Sequence, residues 1–179
     1  MPNSVLNPPN IYLVGLMGAG KTTVARALSR RIGYRCVDSD HEIEARTGVS
    51  IPTIFEIEGE AGFRRREALV IAELTREHGL VVATGGGAVL LPENRERLRT
   101  GGFVVYLRVP PRVLHERTRQ DRNRPLLRVA DPLARLETLF AERDPLYREV
   151  ADLIVDGGRG NAQSITQLLA REAAVRCKL

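Results

Sequence analysis

An apolar segment followed by a glycine-rich loop constrains this chain more than any other feature of its 179 residues. Residues 11–14 have the apolar character of a buried strand, and residues 15–22 follow them with the pattern GxxxxGK[ST]. Backbone N–H groups of such a loop, together with the N-terminus of the next helix, bind phosphate groups. Lys21 is one of only two lysines among 27 basic residues, and its compact ammonium can fold over the loop to reach phosphate oxygens. The alternative is a glycine-rich turn before an ordinary helix.

Four further short apolar segments alternate with helix-length segments along the chain. Together with residues 11–14, the predicted strands are 35–37, 80–83, 103–107 and 153–155. Strands separated by helices form parallel sheets that are covered on both faces, which makes the strands almost continuously apolar. The sequence therefore predicts an α/β three-layer sandwich with a five-stranded parallel sheet. The glycine loop should lie at the carboxyl edge of that sheet, where ligands bind.

Capping residues and apolar spacing predict helices between these strands. Their expected ranges are 22–32, 60–78, 92–99, 111–117, from 133 onward, and 162–175. Asp131 and Pro132 would start the helix that runs on from 133, and Pro145 should break or bend it. Residues 117–130 are polar, irregular and rich in arginine, which is typical of a mobile lid.

Length and composition indicate one domain. A hydrophobic content of 43% is enough to form one core without disulfides. Residues 1–9 are polar and contain proline, lack the features of a secretory signal or membrane span, and are expected to form a flexible leader before a domain covering residues 10–179. Cys36 and Cys177 are far apart in sequence, which favours a reduced, cytoplasmic protein.

The net charge of +5 is compatible with either a nucleic acid or a small anionic partner. The sequence has no Trp and only eight Phe and Tyr residues, which offers few platforms for base stacking. The arginines lie along predicted helices and cluster at residues 64–66 and in the lid, a distribution that suits a small anion at least as well. His41, His78 and His115 lack the spacing of metal ligands and are expected at the surface.

The glycine loop supplies the first set of candidate binding residues. Its backbone amides would face the phosphates, Lys21 would reach the β and γ oxygens, and the Thr22 hydroxyl would ligate Mg²⁺. Thr23 could contact the α-phosphate. The candidate nucleotide-binding residues of the loop are therefore Gly18, Ala19, Gly20, Lys21, Thr22 and Thr23.

Two carboxylates follow the second predicted strand, and they should lie at the same sheet edge as the glycine loop. Of Asp38 and Asp40, one can orient metal-bound water while the other faces an acceptor hydroxyl as a general base. Alternatively, Asp38 or Ser39 caps the helix that begins near His41, a role that does not exclude catalysis.

Three consecutive glycines, Gly85, Gly86 and Gly87, follow the third predicted strand. Because they have no side chains, they allow a backbone N–H group to come within hydrogen-bonding distance of a ligand in the same cleft. A loose, flexible turn is the alternative interpretation.

Two arginines are candidates for binding an anion. Arg64 and Glu67 are three residues apart in a predicted helix, so the carboxylate can hold the guanidinium in a fixed direction, although a plain surface salt bridge is the alternative. Arg143 precedes Asp144 and Pro145, where a helix break could direct it towards the cleft. In isolation, an arginine at such a position is more often solvated than functional.

Six motifs, taken in order, resemble those of the shikimate kinase family. They cover residues from about 10 to 156 at matching separations, and they are GLMGAGKTT, the DSD after the second strand, GEAGFRRRE, TGGG, NRPLL and ERDPLY. The resemblance implies a small P-loop NTPase with a nucleotide kinase-like fold and a mobile lid. It also implies transfer of the γ-phosphoryl group of ATP to the 3-hydroxyl of shikimate, on the route to chorismate and the aromatic amino acids.

The resemblance further implies roles for the residues at matching positions. Asp40 would bind the acceptor and serve as the base, and Asp38 would support the Mg²⁺ shell. Arg64 and Arg143 would pair with the shikimate carboxylate, and Glu67 would position Arg64.

The lid and the glycine segment receive roles in the same way. Gly86 would donate a backbone hydrogen bond to shikimate, Arg124 would close over the phosphates, and Arg117 would lie against adenine. The family often has a side chain suited to adenine shortly after the last strand. In this chain that stretch is rich in glycine, and Arg159 is the nearest substitute.

These observations favour an ATP- and Mg²⁺-dependent shikimate kinase with Lys21, Asp40 and Arg124 as catalytic residues. The substrate-binding segment would span about residues 38–67 and the lid about 117–130. ATP and shikimate would be the partners of a monomer that binds neither nucleic acid nor a membrane. Another small-molecule kinase, such as a gluconate or nucleoside monophosphate kinase, is one alternative. A regulatory or nucleic-acid-binding module that holds ATP only as a structural ligand is the other.

Overall fold

Five parallel strands form one sheet in the computed structural model, which describes residues 7–177. The strands are Asn10–Val14 (β1), Arg35–Asp38 (β2), Leu80–Ala83 (β3), Gly102–Arg108 (β4) and Leu153–Asp156 (β5). Across the sheet they are ordered β2-β3-β1-β4-β5. The predicted α/β fold with a five-stranded parallel sheet is confirmed, and every predicted strand is correct to within one residue at either end.

Helices connect the strands. Their ranges are Lys21–Ile32 (α1), Ser39–Thr47 (α2), Ile51–Leu74 (α3), Pro92–Gly101 (α4), Pro111–Thr118 (α5), Pro132–Val150 (α6) and Ala162–Arg176 (α7), with a 3₁₀ helix at Pro125–Leu127. α1 packs against α7, whereas α3 packs against α4 and α4 against α6. No helix within residues 7–177 is long and apolar enough to cross a membrane. Of the predicted leader, residues 1–6 lie outside the described residues, while the Pro8 carbonyl accepts a hydrogen bond from the Gly79 N–H at 2.9 Å.

Both faces of the sheet are covered, which explains the continuous apolar runs in the sequence. Every residue of β1 and β3 is buried. Successive side chains of a strand point to opposite faces, so complete burial requires covering elements on both sides. β1 pairs with β3 on one side and β4 on the other and therefore lies at the centre. The loops that follow β1, β2 and β3 consequently meet at the carboxyl edge.

Asp38 ends β2 and caps α2. Its Oδ1 accepts hydrogen bonds from the backbone N–H groups of Asp40 at 3.0 Å and His41 at 3.2 Å. These two N–H groups have no partner inside the helix, so the cap satisfies donors that would otherwise be left unpaired. The interpretation of Asp38 as a helix cap is confirmed, and α2 begins at Ser39, two residues before the predicted start.

α3 is longer than predicted and contains a kink. The sequence indicated a helix over residues 60–78, whereas α3 spans Ile51–Leu74 and adopts non-helical backbone angles at Gly59, with φ 70° and ψ −179°. The segment after Gly59 matches the predicted start, but the segment before it was missed and the end lies four residues earlier. The Ser50 side chain caps the missed segment by accepting from the Thr53 N–H.

The predicted break at Pro145 is wrong. α6 continues through Pro145 from Pro132 to Val150. Proline removes one backbone donor, but neighbouring contacts hold the helix in place. The Asp144 carboxylate accepts from the Tyr106 hydroxyl at 2.8 Å and from Arg108 Nε at 3.1 Å, which ties this turn of α6 to β4.

The backbone at Gly59 predicts a measurable difference between two exposed glycines. Gly59 has φ 70° with an extended ψ, a combination available essentially to glycine alone, whereas Gly48 has φ 72° and ψ 9°, which asparagine tolerates. Among the described residues outside the local backbone, no heavy atom lies within 4 Å of a Cβ built at either position. We expect Gly59→Asn to lower the free energy of unfolding by about 1–3 kcal/mol.

The matched control is Gly48→Asn, which should cost less than about 1 kcal/mol because its backbone lies in the left-handed helical region. Urea denaturation of both variants measures the difference. Equal losses of stability in the two variants would contradict the assignment of a strained backbone at Gly59.

Candidate active site

A cavity of about 740 Å³ opens at the carboxyl edge of the sheet. Most of the candidate residues line it, although they come from six separate segments of the chain. Those lining the cavity are Gly18, Gly20, Lys21, Thr22, Thr23, Asp38, Asp40, Arg64, Glu67, Gly85, Gly86, Gly87, Arg117, Arg124 and Arg143. Ala19 and Arg159 are the two candidates outside that lining. Ala19 is buried beneath the loop, and Arg159 is exposed.

The glycine loop has the backbone geometry of an anion site. Gly18 and Gly20 have φ of 80° and 95°, and α1 starts immediately afterwards at Lys21. Within the described residues, no side chain caps α1, so its first N–H groups face the cavity with the positive end of the helix dipole. The Ala19 N–H donates to the Leu16 carbonyl at 3.2 Å and stabilises the loop itself.

Lys21 folds back over this loop. Its buried ammonium donates to the carbonyls of Gly15 at 2.7 Å and Leu16 at 2.8 Å. Burial lowers the pKa of Lys21 to about 8. The positive charge of Arg124 also lowers this pKa, whereas the negative charge of Asp40 raises it. Two cations near one another at the end of a helix dipole create a site that an anion would stabilise.

Thr22 and Asp38 bring hard oxygen donors together. The Thr22 hydroxyl donates to Asp38 Oδ2 at 2.6 Å, while Oδ1 of the same carboxylate caps α2. Mg²⁺ typically takes one or two protein oxygens and completes its shell with water and substrate phosphates, so this pair fits it. Within residues 7–177, no group of three or more His, Cys, Asp or Glu side chains could hold a metal by itself.

Asp40 lines the same cavity as Asp38. Its Oδ1 is buried and accepts no hydrogen bond from any described residue. Burial raises the pKa of Asp40, and the neighbouring charge of Asp38 adds to this effect, whereas Lys21 and Arg124 oppose it. A carboxylate with a raised pKa is a better proton acceptor, which suits Asp40 to the predicted role of general base.

Arg64 and Glu67 form a buried ion pair. Arg64 Nη1 donates to Glu67 Oε2 at 2.6 Å, and the two side chains are only 11% and 1% exposed. Burial raises the pKa of Glu67 to about 7, and the charge and hydrogen bond of Arg64 oppose the rise. The alternative of a plain surface salt bridge is therefore wrong.

Arg143 is also buried, with 3% of its surface exposed. Its Nε and Nη1 find no hydrogen-bond acceptor among residues 7–177. The alternative of a solvated arginine is excluded for this residue. A buried guanidinium without a full set of partners is unfavourable, and a bound carboxylate would supply the missing acceptors.

The glycine segment makes room for these charged groups. A Cβ at Gly85 would lie 2.6 Å from Asp40 Oδ1 and 2.7 Å from Glu67 Oε1, and one at Gly87 would overlap the Arg64 guanidinium. The Gly85 N–H already donates to the buried Ser39 hydroxyl at 2.9 Å. A side-chain clash thus explains the glycines at 85 and 87, and the alternative of a loose turn is wrong.

The predicted lid contributes two arginines to the cavity. Arg117 donates from Nη1 to the Gly18 carbonyl at 3.2 Å and from Nη2 to the Gly157 carbonyl at 3.0 Å, so it joins the glycine loop to the turn after β5. Arg124 Nε donates to Asp121 Oδ2 at 2.9 Å. Arg117 is thereby held against the glycine loop, and Arg124 lies near enough to Lys21 for its charge to lower the pKa of that lysine.

Sequence reasoning missed the apolar wall of the cavity. Phe55 and Phe63 line it with their ring centroids 5.0 Å apart, and Met17 and Leu126 line it as well. Phe63 belongs to the GEAGFRRRE motif and could have been found there. Phe55 lies in the missed first segment of α3, so no predicted helix placed it near the site.

The fold and the site together define the class of protein. A P-loop after β1, carboxylates after β2 and buried arginines across one cavity are the parts of a P-loop kinase that phosphorylates a small anionic molecule. The sequence model of the family described as "Shikimate kinase" matches residues 17–173. The chain belongs to the shikimate kinase family, and it is an ATP-dependent kinase.

Individual relatives agree with this assignment. A shikimate kinase of Dechloromonas aromatica is 66% identical over 91% of this chain and 89% of that protein. One from Aromatoleum aromaticum is 69% identical over 84% of this chain and 86% of that protein. A solved structure described as "Shikimate kinase from Acinetobacter baumannii in complex with shikimate" superposes with a TM-score of 0.91 at 51% identity, covering 94% of both chains.

The clash at Gly87 predicts a selective defect. In Gly87→Ala, the added methyl group would displace the Arg64 guanidinium from Glu67. We expect the apparent KM for the phosphoryl acceptor to rise by at least about tenfold, because a displaced charged contact typically costs 1.5–3 kcal/mol. The KM for ATP should change by less than about twofold. Steady-state kinetics with each substrate varied in turn measure both values.

Gly101→Ala is the control. A Cβ at Gly101 would also be crowded, at 2.8 Å from the Tyr12 hydroxyl. Gly101, however, lies just before β4, at the edge of the sheet opposite to the cavity. This variant should lose stability without changing the KM for the acceptor. A normal KM in Gly87→Ala would contradict the proposed reason for the glycine.

Proposed function

We propose that this chain transfers the γ-phosphoryl group of ATP to the 3-hydroxyl of shikimate, giving shikimate 3-phosphate and ADP. The buried Arg143 and the largely buried Arg64 are the observation that supports this substrate, because they line the same cavity as the P-loop and can bind a carboxylate. The Acinetobacter baumannii relative was solved in complex with shikimate, which is consistent with that choice. Shikimate phosphorylation belongs to the route to chorismate and the aromatic amino acids.

The nucleotide half of the site would be formed by the loop and the lid. We assign to it the backbone and side chains of Gly18, Ala19, Gly20, Lys21, Thr22, Thr23, Arg117, Arg124 and, at its margin, Arg159. The loop geometry and the lid contacts support the assignment for the residues that line the cavity. Arg159 is exposed and outside that lining, so its adenine contact rests on its place in the sequence.

The acceptor half would be formed by the opposite wall. We assign Arg64 and Arg143 to the carboxylate of shikimate and Asp40 to the reacting hydroxyl. Glu67 holds Arg64, and the glycine segment 85–87 borders the bound ring. The apolar wall of Phe55 and Phe63 would pack against the carbon skeleton.

In the proposed reaction, protein groups act mainly by alignment and charge. Asp40 accepts the proton of the hydroxyl as the oxygen attacks the γ-phosphorus. Lys21 and Arg124 stabilise the negative charge on the transferring phosphoryl group and on the leaving oxygen of ADP. Thr22 and Asp38 would hold Mg²⁺, which when bound neutralises charge on the phosphates.

We also propose a division of the chain that follows these roles. Residues 10–179 would form one kinase domain, with a substrate-binding segment at about 38–67 and a lid at about 117–130. A monomer suffices, because residues of one chain line the whole cavity. Free thiols at Cys36 and Cys177 are in keeping with a cytoplasmic protein.

A coupled assay of ADP release tests this function. Shikimate at millimolar concentration should support turnover, and gluconate or a nucleoside monophosphate should not. Lys21→Ala is the negative control and should lower kcat by at least about 10²-fold, because its charge acts on the transferring group. Turnover with gluconate or a nucleotide but not with shikimate would overturn the proposed substrate.

Arg143→Ala tests the carboxylate site directly. Removing this buried cation should raise the apparent KM for shikimate by at least about 30-fold, since truncating a buried charged partner costs about 2–5 kcal/mol. The KM for ATP should stay within about twofold. The control is Arg148→Ala on the same helix, an exposed arginine paired with Asp144, which should leave both constants unchanged. A rise in the KM for ATP instead would place Arg143 in the nucleotide half.

A further inference from the structure

Tyr147 lies one helical turn beyond Arg143 on α6, so both side chains leave the same face of the helix. Its ring is 1% exposed. Its hydroxyl donates a hydrogen bond to the carbonyl of Gly86, in the glycine segment that borders the cavity. A buried tyrosine therefore connects the helix that carries Arg143 to the loop across from it.

The carbonyl of Gly86 differs from those of its two glycine neighbours. The Gly85 carbonyl accepts from the Ala88 N–H at 3.0 Å, and the Gly87 carbonyl accepts from the Leu90 N–H at 3.1 Å. The Gly86 carbonyl instead accepts from the Tyr147 hydroxyl. The orientation of the peptide that follows Gly86 is thus set by a side chain from α6 rather than by the turn itself.

Gly86 also lies between Arg143 and the P-loop. A Cβ built at Gly86 would be 3.6 Å from Arg143 Nη1, 3.5 Å from the Met17 amide nitrogen and 3.6 Å from the Gly15 carbonyl oxygen. A change in the position of this peptide would therefore change the space around the guanidinium of Arg143.

A second contact fixes the neighbouring turn of α6. The rings of Tyr147 and Tyr106 have centroids 4.9 Å apart, and the Tyr106 hydroxyl donates to Asp144 at 2.8 Å. β4 therefore holds α6 through Asp144, while Tyr147 holds the glycine segment. Arg143 is adjacent to Asp144 and one helical turn from Tyr147, and these two contacts leave its backbone little freedom to rotate.

We propose that Tyr147 is a positioning residue, which holds the Gly86 peptide against α6 and so keeps Arg143 at a fixed separation from the glycine segment around the acceptor carboxylate. This inference rests on the proposed function. Burial raises the pKa of Tyr147, with Arg143 opposing the rise, so the hydroxyl remains a hydrogen-bond donor. A fixed separation matters because a bidentate pair of guanidinium and carboxylate tolerates little displacement.

Tyr147→Phe tests the proposal, because it removes the donor and keeps the ring. We expect the apparent KM for shikimate to rise about five- to thirty-fold, as the carbonyl of Gly86 loses its partner and the peptide moves. The kcat and the KM for ATP should change by less than about threefold. An unchanged KM for shikimate in the folded variant would overturn the proposal.

Tyr12→Phe is the matched control. Tyr12 is buried on β1, and its hydroxyl accepts from Asn10 Nδ2 at 3.0 Å at the opposite edge of the sheet. Its loss should lower the melting temperature as Tyr147→Phe does, without changing the KM for shikimate. Equal increases of that KM in both variants would mean that general destabilisation is responsible, and would overturn the proposal.

A double-mutant cycle separates positioning from a direct contact with substrate. If Tyr147 acts through Arg143, adding Tyr147→Phe to Arg143→Ala should raise the KM for shikimate by less than about twofold further. If the effects of the two substitutions on the KM for shikimate are fully additive, Tyr147 does not act through Arg143 and the proposal is overturned. If the wild-type protein shows no turnover with shikimate, the proposed function fails. If the wild-type protein turns over shikimate normally and Tyr147→Phe has an unchanged KM for shikimate, only the inference about Tyr147 fails.

Tyr106→Phe provides a second variant if Tyr147→Phe is too unstable to assay. It loosens the contact of α6 with β4 through Asp144 and leaves the hydrogen bond to Gly86 in place. Because Arg108 Nε still donates to Asp144 in this variant, the KM for shikimate should rise by less than about threefold. A larger rise would mean that the contact of Asp144 with β4, and not Tyr147, positions Arg143, and it would overturn the proposal.

Discussion

Burial of charge at the carboxyl edge of the sheet is the constraint on which the site depends. Arg64 and Glu67 lie almost out of contact with water, and Arg143 keeps two nitrogen atoms without an acceptor in the described part of the chain. Desolvation can cancel the attraction of a buried ion pair, so such groups are weak evidence of stabilisation. Their effect is to place positive charge where a carboxylate can bind.

The surrounding backbone is adapted to these charges. Gly85 and Gly87 leave the space that the side chains of Asp40, Glu67 and Arg64 occupy. The hydroxyls of Ser39 and Tyr147 satisfy the polar backbone groups of the same segment, one at an N–H and the other at a carbonyl. The glycine segment therefore has a defined shape although its sequence alone suggests flexibility.

The fold was largely predictable because a parallel sheet buried on both faces leaves a simple signal in the sequence. The five strands are short apolar runs, and the loop that follows β1 has a spacing that few other structures require. Local rules failed where tertiary contacts outweigh them. Pro145 does not break α6, because Asp144 is held by β4. The segment before Gly59 carries its own helix signals, the Ser50 cap and Pro52 near its start, and these were overlooked.

The sequence by itself determined the class of fold, the position of the P-loop and the identity of most charged residues around the cavity. Those features depend on short-range spacing, which the sequence carries directly. Tertiary structure alone decided that Arg143 is buried rather than solvated and that the glycines accommodate side chains. It also decided that Phe55 lines the cavity and that the hydroxyls of Ser39 and Tyr147 bond to the glycine segment. These properties arise between segments distant in sequence, and burial and hydrogen bonding there depend on how the helices pack against the sheet.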